Sequence, residues 1–344
     1  MAKRTGIKIR QLVILTFAWV IIGLFISLYD FLLLLSSNSP TEAESLVRGL
    51  IINCGTGLVG ALIGGTVLVF IIHDKLKDHR YGYSVVLIVV VFALVVVTVV
   101  VLKRAIFGDV ILDSAATRIK NALIWFAVVC LTQLILQMNT RTGNAFVGNF
   151  IQGRYNVPRA ERNIFMFLDI NSSTTIAEEL GDDRYHGLLR DFFSDIADPI
   201  LESEGAIYQY VGDEVIVAWN YEEGLKNNRC ITCFYDIKRK INQNAEKYRL
   251  RYGLIPTFKA GFHCGRVVAG EVGTLRREVT YSGDVLNTMA RILALCKNYG
   301  AEVIASGSLL SQLCLDKTFE VLELGHMKLH GKQTEVLLNA IKGL

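Results

Sequence analysis

The chain has 344 residues, of which 52% are apolar, and a formal net charge of +4. Its mean hydropathy of +0.39 excludes a protein that is soluble throughout, because the apolar excess lies in the first ~140 residues. No basic stripe interleaved with aromatic residues is present, which argues against a nucleic-acid partner.

Four long apolar stretches occupy the N-terminal part of the chain. They cover residues 11–36, 49–72, 83–102 and 122–139, and each approaches or exceeds the ~20 residues that a helix needs to cross a bilayer. The first stretch is too long, and lacks the small-residue cleavage site, for a signal peptide. Residues 1–140 are therefore predicted to form a four-helix transmembrane domain in the lipid bilayer.

The charged residues between the apolar stretches predict the orientation of this domain. The N-terminal head and the second loop are basic, whereas the first loop is mostly acidic. Because basic loops stay on the cytoplasmic side, the N-terminus and everything after the fourth crossing are expected in the cytoplasm. This predicts a multi-pass protein of the inner cell membrane.

A few residues of the membrane part allow more than one interpretation. Gly60 and Gly64 form a close-packing face that serves either packing within the bundle or dimerisation. Asp30 is a functional candidate because charge inside a membrane span is costly, although it lies close to the outer interface. At the membrane boundary, His73, Asp74 and His79 are interpreted as an interfacial polar cluster rather than a metal or haem site.

Residues 163–344 have the composition of a soluble α/β domain, joined to the membrane part by a linker over residues 141–162 that contains Pro158. Helical and strand-like segments alternate, and a tight VGDE turn links two of the strands, which favours an α+β fold over a doubly wound sheet. Strands are predicted at 164–170, 206–210, 214–219, 257–263, 266–270 and 302–305, and helices at 173–181, 185–203, 222–248, 284–299 and 306–313. Cys230 and Cys233 lack a second pair or histidines spaced for zinc, so core packing is the favoured interpretation.

Two aspartates are the most informative residues of this domain. Asp169 and Asp213 each interrupt a short apolar strand. A carboxylate in such a place is costly unless its charge is compensated, and a divalent cation bound to phosphate is a common solution. A simple turn aspartate is the alternative interpretation.

The segments around these aspartates resemble the catalytic domain of class III nucleotide cyclases over residues 160–340. Five segments resemble the family's motifs in the expected order: FMFLDINSSTTIAEELG, GAIYQYVGDEVIVAW, FKAGFHCGRVVAGEVG, TYSGDVLNTMARI and LGHMKLHGKQTEV. The resemblance implies an α+β fold with a ferredoxin-like βαββαβ core. It also implies attack of a ribose 3′-hydroxyl on the α-phosphate of a nucleoside triphosphate, which releases pyrophosphate.

The resemblance implies a role for each matching residue of the site. Asp169, Asp213 and the backbone carbonyl of Ile170 are the expected ligands of two Mg²⁺ or Mn²⁺ ions. Arg291 matches the arginine that stabilises the transition state, and Asn287 on the same helix face is expected to orient the ribose. Taken alone, this pair is typical of a solvated helix face.

The residues expected to bind the triphosphate depart in part from the family pattern. Arg276 corresponds to a position that holds the β- and γ-phosphates, although the adjacent Arg277 leaves the register open. His330 stands where a triphosphate-binding lysine is usual, and Lys328 or Lys332 is the candidate substitute.

The base-binding residues favour ATP. Gln209 and Thr280 occupy the two positions that select the base, and the glutamate of a guanine-selective site is absent. A glutamine amide can both donate to and accept from adenine. The flipped amide also suits guanine, so that a guanylyl or mixed-specificity cyclase stays open.

Each chain carries one copy of each half of the site, the metal ligands and the Asn287–Arg291 pair. In the family these halves meet across a subunit boundary, which implies a head-to-tail homodimer with two equivalent sites. The sequence therefore predicts a membrane-bound adenylyl cyclase. A catalytically silent nucleotide-binding receptor module is the alternative from another class.

Overall fold

The structure is a computed structural model that describes residues 2–36, 43–72, 81–107, 115–141, 157–273, 278–329 and 334–343. The chain folds into two compact units, one made of residues 2–152 and the other essentially of residues 153–344.

The N-terminal unit is a bundle of apolar helices. Its helices are α1 (Ala2–Ser36), α2 (Ala43–Gly60, continued by π-helical turns Ala61–Gly65 and Val67–Ile72), α3 (Tyr81–Phe107) and α4 (Ala115–Arg141). Within the described residues, three segments are long and apolar enough to cross a membrane: Thr5–Leu33, Leu46–Phe70 and Ile119–Leu136. The described apolar segment of α3, Ile88–Val101, is shorter.

The bundle is held together by close packing and by interhelical hydrogen bonds. The rings of Trp19 and Trp125 lie 6.2 Å apart, and Trp19 Nε1 donates to Thr132 Oγ1 at 3.1 Å. A Cβ added to Gly60 would lie 3.2 Å from the Trp19 ring, and one added to Gly64 would lie 3.7 Å from it. Both glycines therefore serve packing within the chain, the first of the two interpretations given above.

Asp30 of α1 has a charged partner within the bundle. It forms an ion pair with Lys120 of α4. The Lys120 ammonium also lies 5.8 Å from the centre of the Tyr29 ring. A paired carboxylate is the ordinary arrangement for charge within an apolar helix, so Asp30 has a structural explanation.

The C-terminal unit is an α+β domain built on one mixed sheet. Its elements are β1 (Arg159–Ile170), α5 (Ser173–Leu180), α6 (Asp182–Glu202), β2 (Ala206–Val211), β3 (Glu214–Asn220), α7 (Tyr221–Leu225), α8 (Arg229–Gln243), α9 (Ala245–Tyr252), β4 (Phe258–Val272), β5 (Glu278–Ser282), α10 (Asp284–Tyr299), β6 (Val303–Ser306), α11 (Gly307–Leu310), β7 (Phe319–Met327) and β8 (Val336–Gly343). The described strands pair in the order β2-β3-β1-β4-β6-β8-β7, and β5 pairs with β4. The succession β1-α6-β2-β3-α8-β4 confirms the predicted βαββαβ core.

Helices cover both faces of the sheet, because the residues of β1 alternate between two cores. Its even-numbered residues 164–170 join the core with α6 and α8. Its odd-numbered Phe165 and Phe167 pack with Val285, Met289 and Leu293 of α10. Asp169 continues the odd series, so its Cβ points to the α10 side of the sheet.

The structure corrects the predicted boundaries at several points. β4 is one continuous strand over Phe258–Val272, where two strands at 257–263 and 266–270 were predicted. The predicted helix 222–248 is divided, because Asn227 and Asn228 adopt a left-handed conformation with φ of 55°. β5 was not predicted, and the helix predicted at 306–313 is only Gly307–Leu310.

Candidate active site

Asp169 lies near the end of β1, between a carboxylate and an ammonium on the two neighbouring strands. In the sheet register its partners are Glu214 of β3 and Lys259 of β4. Lys259 Nζ donates to Asp169 Oδ2 at 2.5 Å, and both side chains are mostly buried. The strand pairing thus brings a fixed positive charge onto this carboxylate.

Asp213 reaches the same place from the turn between β2 and β3. The turn depends on Gly212, whose φ of +63° favours glycine. Burial raises the pKa of Asp169, the hydrogen bond from Lys259 lowers it, and a hydrogen bond with Asp213 raises it, so that the pKa lies above its usual value. The pairing of Asp169 with Glu214, the residue after Asp213, places the two predicted metal carboxylates close together, as a cation site requires.

Other ionisable side chains surround the aspartate pair. Burial, reinforced by Asp169 and Asp213, raises the pKa of Glu214 to about 7. Burial and the nearby Asp213 also raise the pKa of Tyr185, which places this part of α6 beside the pair. Burial is the larger cause of both shifts, and the two aspartates add negative charge that a cation would offset.

The donors present fit a hard divalent cation. Mg²⁺ is commonly held by one or two carboxylates together with phosphate oxygens and water. The described residues contain no group of three or more His, Cys, Asp or Glu side chains arranged to hold a metal ion. The side chain of Ile170 is apolar and buried in the core, so this residue could bind a cation only through its backbone carbonyl.

Asn287 and Arg291 lie on the side of α10 that faces away from the sheet. Val285, Met289 and Leu293 form the buried side of this helix. Asn287 is exposed and Arg291 partly exposed, and neither forms a hydrogen bond or ion pair with any residue that the structure describes. Within one chain, therefore, no contact joins this pair to the aspartates.

Gln209 and Thr280 lie on β2 and β5, beside two tyrosines that touch each other. The rings of Tyr208 and Tyr281 are 4.9 Å apart. Gln209 is exposed, and Thr280 Oγ1 donates a long hydrogen bond of 3.4 Å to the carbonyl of Gly270. The structure thus brings the two proposed base-binding positions into one region of the surface.

The remaining predicted residues Arg276 and Lys332, together with His330, lie outside the described residues. The important residue that sequence reasoning missed is Lys259. Its signal was a lone charge in the apolar strand FKAGF, but its partner lies 90 residues away in the sequence. Only the register between β1 and β4 brings the two together.

Comparison with known proteins gives concordant matches. The family model of the adenylate and guanylate cyclase catalytic domain matches residues 156–340. Adenylate cyclase 2 of Rhizobium meliloti (strain 1021) is 33% identical over 198 residues, which are 58% of this chain and 54% of that protein. An adenylate cyclase of Anabaena cylindrica is 26% identical over 53% of this chain and 37% of that protein. The chain thus spans about half the length of the first relative and less of the second.

A solved structure supports the same fold. A bacterial light-regulated adenylyl cyclase, 19% identical, superposes with a TM-score of 0.56 over 67% of this chain and 66% of that one. This likeness shows the fold, whereas the family model covers more than half of the chain and contains Asp169, Asp213, Asn287 and Arg291. The chain belongs to the class III nucleotide cyclases, the family of the adenylate and guanylate cyclase catalytic domain.

Proposed function

We propose that this protein is a membrane-bound adenylyl cyclase that converts ATP to 3′,5′-cyclic AMP and pyrophosphate. The observation that carries the proposal is the position of Asp169, at the end of β1, beside the β2–β3 turn that contains Asp213. The names of the curated relatives, all adenylate cyclases, support the choice of reaction.

Asp169, Asp213 and the carbonyl of Ile170 are the groups that would hold two Mg²⁺ or Mn²⁺ ions. Such ions supply positive charge to the attacking 3′-hydroxyl and the α-phosphate. The fit rests on two neighbouring carboxylates, whose like charges a divalent cation would offset.

The catalytic role of the other half of the site belongs to Arg291 and Asn287. The planar guanidinium of Arg291 suits the charge that develops on the transferred phosphoryl group. Asn287, one turn earlier on α10, orients the ribose hydroxyl for attack. Arg276 and Lys332 are proposed to bind the β- and γ-phosphates.

The proposed enzyme is a head-to-tail homodimer. Asn287 and Arg291 lie on the outward side of α10 and have no partner among the described residues of their own chain. A second chain related by twofold symmetry would present this pair to the Asp169–Asp213 pair of the first, and the reverse, giving two equivalent sites.

Gln209 and Thr280 are proposed to select adenine. The exposed amide of Gln209 can donate to one ring position of adenine while accepting from its amino group. The flipped amide also suits guanine, so cyclisation of GTP is the second candidate function. The two nucleotides therefore have to be tested side by side.

The apolar helices are proposed to make the enzyme a multi-pass protein of the cell membrane. Three described segments have the length for crossing, and α3 is proposed as the remaining crossing. With the N-terminus in the cytoplasm, four crossings place residues 163–344 there as well, with access to ATP. Residues 141–162 are proposed as the coupling segment between the two units.

Product analysis tests the proposal directly. The full chain in detergent is given ATP or GTP with Mg²⁺ or Mn²⁺, and cyclic nucleotides are quantified by mass spectrometry. We expect cyclic AMP to dominate and an Asp213→Asn variant to lose activity by at least ~100-fold. Asp236→Asn, which removes an exposed carboxylate far from the site, is the matched control. Dominant cyclic GMP would overturn the choice of base, and unchanged turnover in Asp213→Asn would overturn the metal site.

A further inference from the structure

Lys259 is the positive charge at the centre of the candidate metal site. Its Nζ lies 2.5 Å from Asp169 Oδ2, and the exposed fractions of the two side chains are only 17% and 22%. Burial and the two aspartates raise the pKa of Glu214, whereas the charge of Lys259 lowers it. In the structure the ammonium therefore takes the position in which a cation would neutralise Asp169.

We propose that Lys259 is a resident counter-ion that competes with the divalent cation for Asp169. The inference rests on the proposed function, because it concerns the same cation site. The ammonium lies on Oδ2 of Asp169 at 2.5 Å, where a cation bound by the same oxygen would have to lie. The cation therefore has to displace the lysine, and the repulsion between the two positive charges opposes it.

The lysine cannot simply leave the site when it is displaced. It extends from the middle of the sheet, between β1 and β6, and on the α10 side. Burial raises the pKa of Cys296 on α10, and the charge of Lys259 lowers it. The freed ammonium thus stays between β4 and α10, close to the cation.

This position couples metal binding to nucleotide binding. A triphosphate brings several negative charges, which offset the repulsion between the cation and the retained ammonium. Without nucleotide, the ammonium stays hydrogen-bonded to Asp169 and neutralises negative charge of the carboxylate pair. We therefore infer that Lys259 keeps the empty site from holding a divalent cation tightly and admits it together with a phosphate-bearing substrate.

Mn²⁺ binding to the full chain without nucleotide tests the inference. Free Mn²⁺ is measured by electron paramagnetic resonance for the wild type and for Lys259→Met, which keeps the length of the side chain and removes its charge. We expect the variant to bind Mn²⁺ about tenfold more tightly, equivalent to ~1.4 kcal/mol. Lys259→Arg keeps the charge and is expected to bind as weakly as the wild type.

Lys238→Met is the matched control. Lys238 also forms an ion pair, with Glu302 at 2.6 Å, but the pair is exposed and contains no proposed metal ligand. The same change of residue and charge there should leave the affinity for Mn²⁺ unchanged. A gain equal to that of Lys259→Met would show a general effect of net charge and overturn the inference.

Asp169→Asn separates failure of this inference from failure of the proposed function. We expect this variant to lose Mn²⁺ binding. If it does and Lys259→Met binds no more tightly than the wild type, the counter-ion role is wrong while the metal site stands. If Asp169→Asn binds Mn²⁺ like the wild type, the metal site itself is wrong and both proposals fall.

A measurement on the unsubstituted chain covers the case in which Lys259→Met does not fold. Lys259 is labelled with an amine-reactive reagent, with and without Mn²⁺, and quantified by mass spectrometry against Lys238. We expect Mn²⁺ to increase labelling at Lys259 only, because the ammonium is released from Asp169. Equal labelling with and without saturating Mn²⁺ would overturn the inference.

Discussion

The backbone N–H of Tyr281 on β5 donates a hydrogen bond to the hydroxyl of Tyr208 on β2, at 3.3 Å. The two rings also pack against each other at 4.9 Å. Gln209 and Thr280, the residues proposed to select the base, are the immediate neighbours of these tyrosines. The tyrosine pair therefore sets the distance between the two halves of the proposed base-binding region.

Tyr208→Phe keeps the ring contact and removes this hydrogen bond. Because a hydrogen bond contributes about 1 kcal/mol, we expect the melting temperature to fall by about 2–4 °C. Loosening of β5 should raise KM for ATP about threefold with little change in kcat, since the reacting groups are elsewhere. Thermal unfolding and steady-state kinetics measure both effects.

Tyr210→Phe is the control for this prediction. Tyr210 lies on the same strand and packs on Phe193 at 4.5 Å, but its hydroxyl forms no hydrogen bond with the described residues. Removal of this hydroxyl should leave KM unchanged. Equal KM for Tyr208→Phe and the wild type would show that the tyrosine pair does not position the base.

Gly265 of β4 allows α10 to pack closely on the sheet. A Cβ at this position would lie 2.6 Å from Val285 Cγ2 in the first turn of α10. Valine is stiff at χ1, so Gly265→Ala should displace the helix and cost about 1–3 kcal/mol. Because α10 carries Asn287 and Arg291, we expect kcat to fall as well.

The double variant Gly265→Ala/Val285→Ala shows whether this contact is the cause. The smaller side chain makes room for the added methyl group, so the double variant should recover most of the kcat lost by Gly265→Ala. A double-mutant cycle compares the free energy of unfolding and kcat among the wild type, the two single variants and the double variant. Purely additive losses would contradict the predicted clash.

Asp191 joins α6 to α9 through two hydrogen bonds and a further ion pair. Tyr252 and Arg251 donate to its Oδ2 at 2.9 Å, and Lys247 lies at 3.5 Å. Burial raises the pKa of Asp191, but the hydrogen bond from Tyr252, together with Lys247 and Arg251, lowers it below its ordinary value of 3.8. We expect Asp191→Asn to cost about 2 kcal/mol at pH 7, because the acceptor loses its charge.

The sign of the pKa shift predicts how this cost depends on pH. Because the pKa of Asp191 is lower in the folded than in the unfolded state, its ionised carboxylate stabilises the fold above pH 3.8. This stability is lost as the pH falls through the pKa of the folded state. The difference in unfolding free energy between the wild type and Asp191→Asn should therefore narrow below pH 3.8. Asp236→Asn, which breaks the exposed Asp236–Arg239 pair, should cost less than ~0.5 kcal/mol at any pH. A constant difference for Asp191→Asn would contradict the assignment.

The fold of the catalytic unit was largely predictable because its signals are local. Alternating apolar residues and the VGDE turn marked β1, β2 and β3, and the motif order indicated the βαββαβ core. The predicted strands 257–263 and 266–270 left out Cys264 and Gly265, whereas β4 runs through both residues. The role of Gly265 is to admit Val285, a contact made only in the folded domain.

The site was predictable to the extent that it follows motifs. Asp169 and Asp213 were recognised from their strands, and the structure brings them together. Lys259 was not recognised, because its effect arises from the register between strands that are distant in the sequence. The order of residues shows where each charge lies along the chain, whereas pairing across a sheet decides which charges meet.

The buried cysteines give a further prediction. Cys230 and Cys233 lie in the core, and burial raises the pKa of each thiol to about 12. In the folded protein both should resist alkylation by iodoacetamide at pH 8, whereas the exposed Cys314 should react. Mass spectrometry after brief labelling measures the difference. Early labelling of either buried cysteine would show that this core opens readily.

A site shared between two subunits predicts rescue when two inactive variants are mixed. A chain with Asp169→Ala keeps the Asn287–Arg291 pair, and a chain with Arg291→Ala keeps the aspartate pair. Random pairing of coexpressed chains makes half of the dimers mixed, each with one intact site, so roughly a quarter of wild-type activity should return. Coexpression of Asp169→Ala with Asp213→Ala is the control, because both changes damage the aspartate half and no pairing leaves an intact site. If two well-folded, coassembling variants of the first pair stay as inactive as the control, the site lies within a single chain.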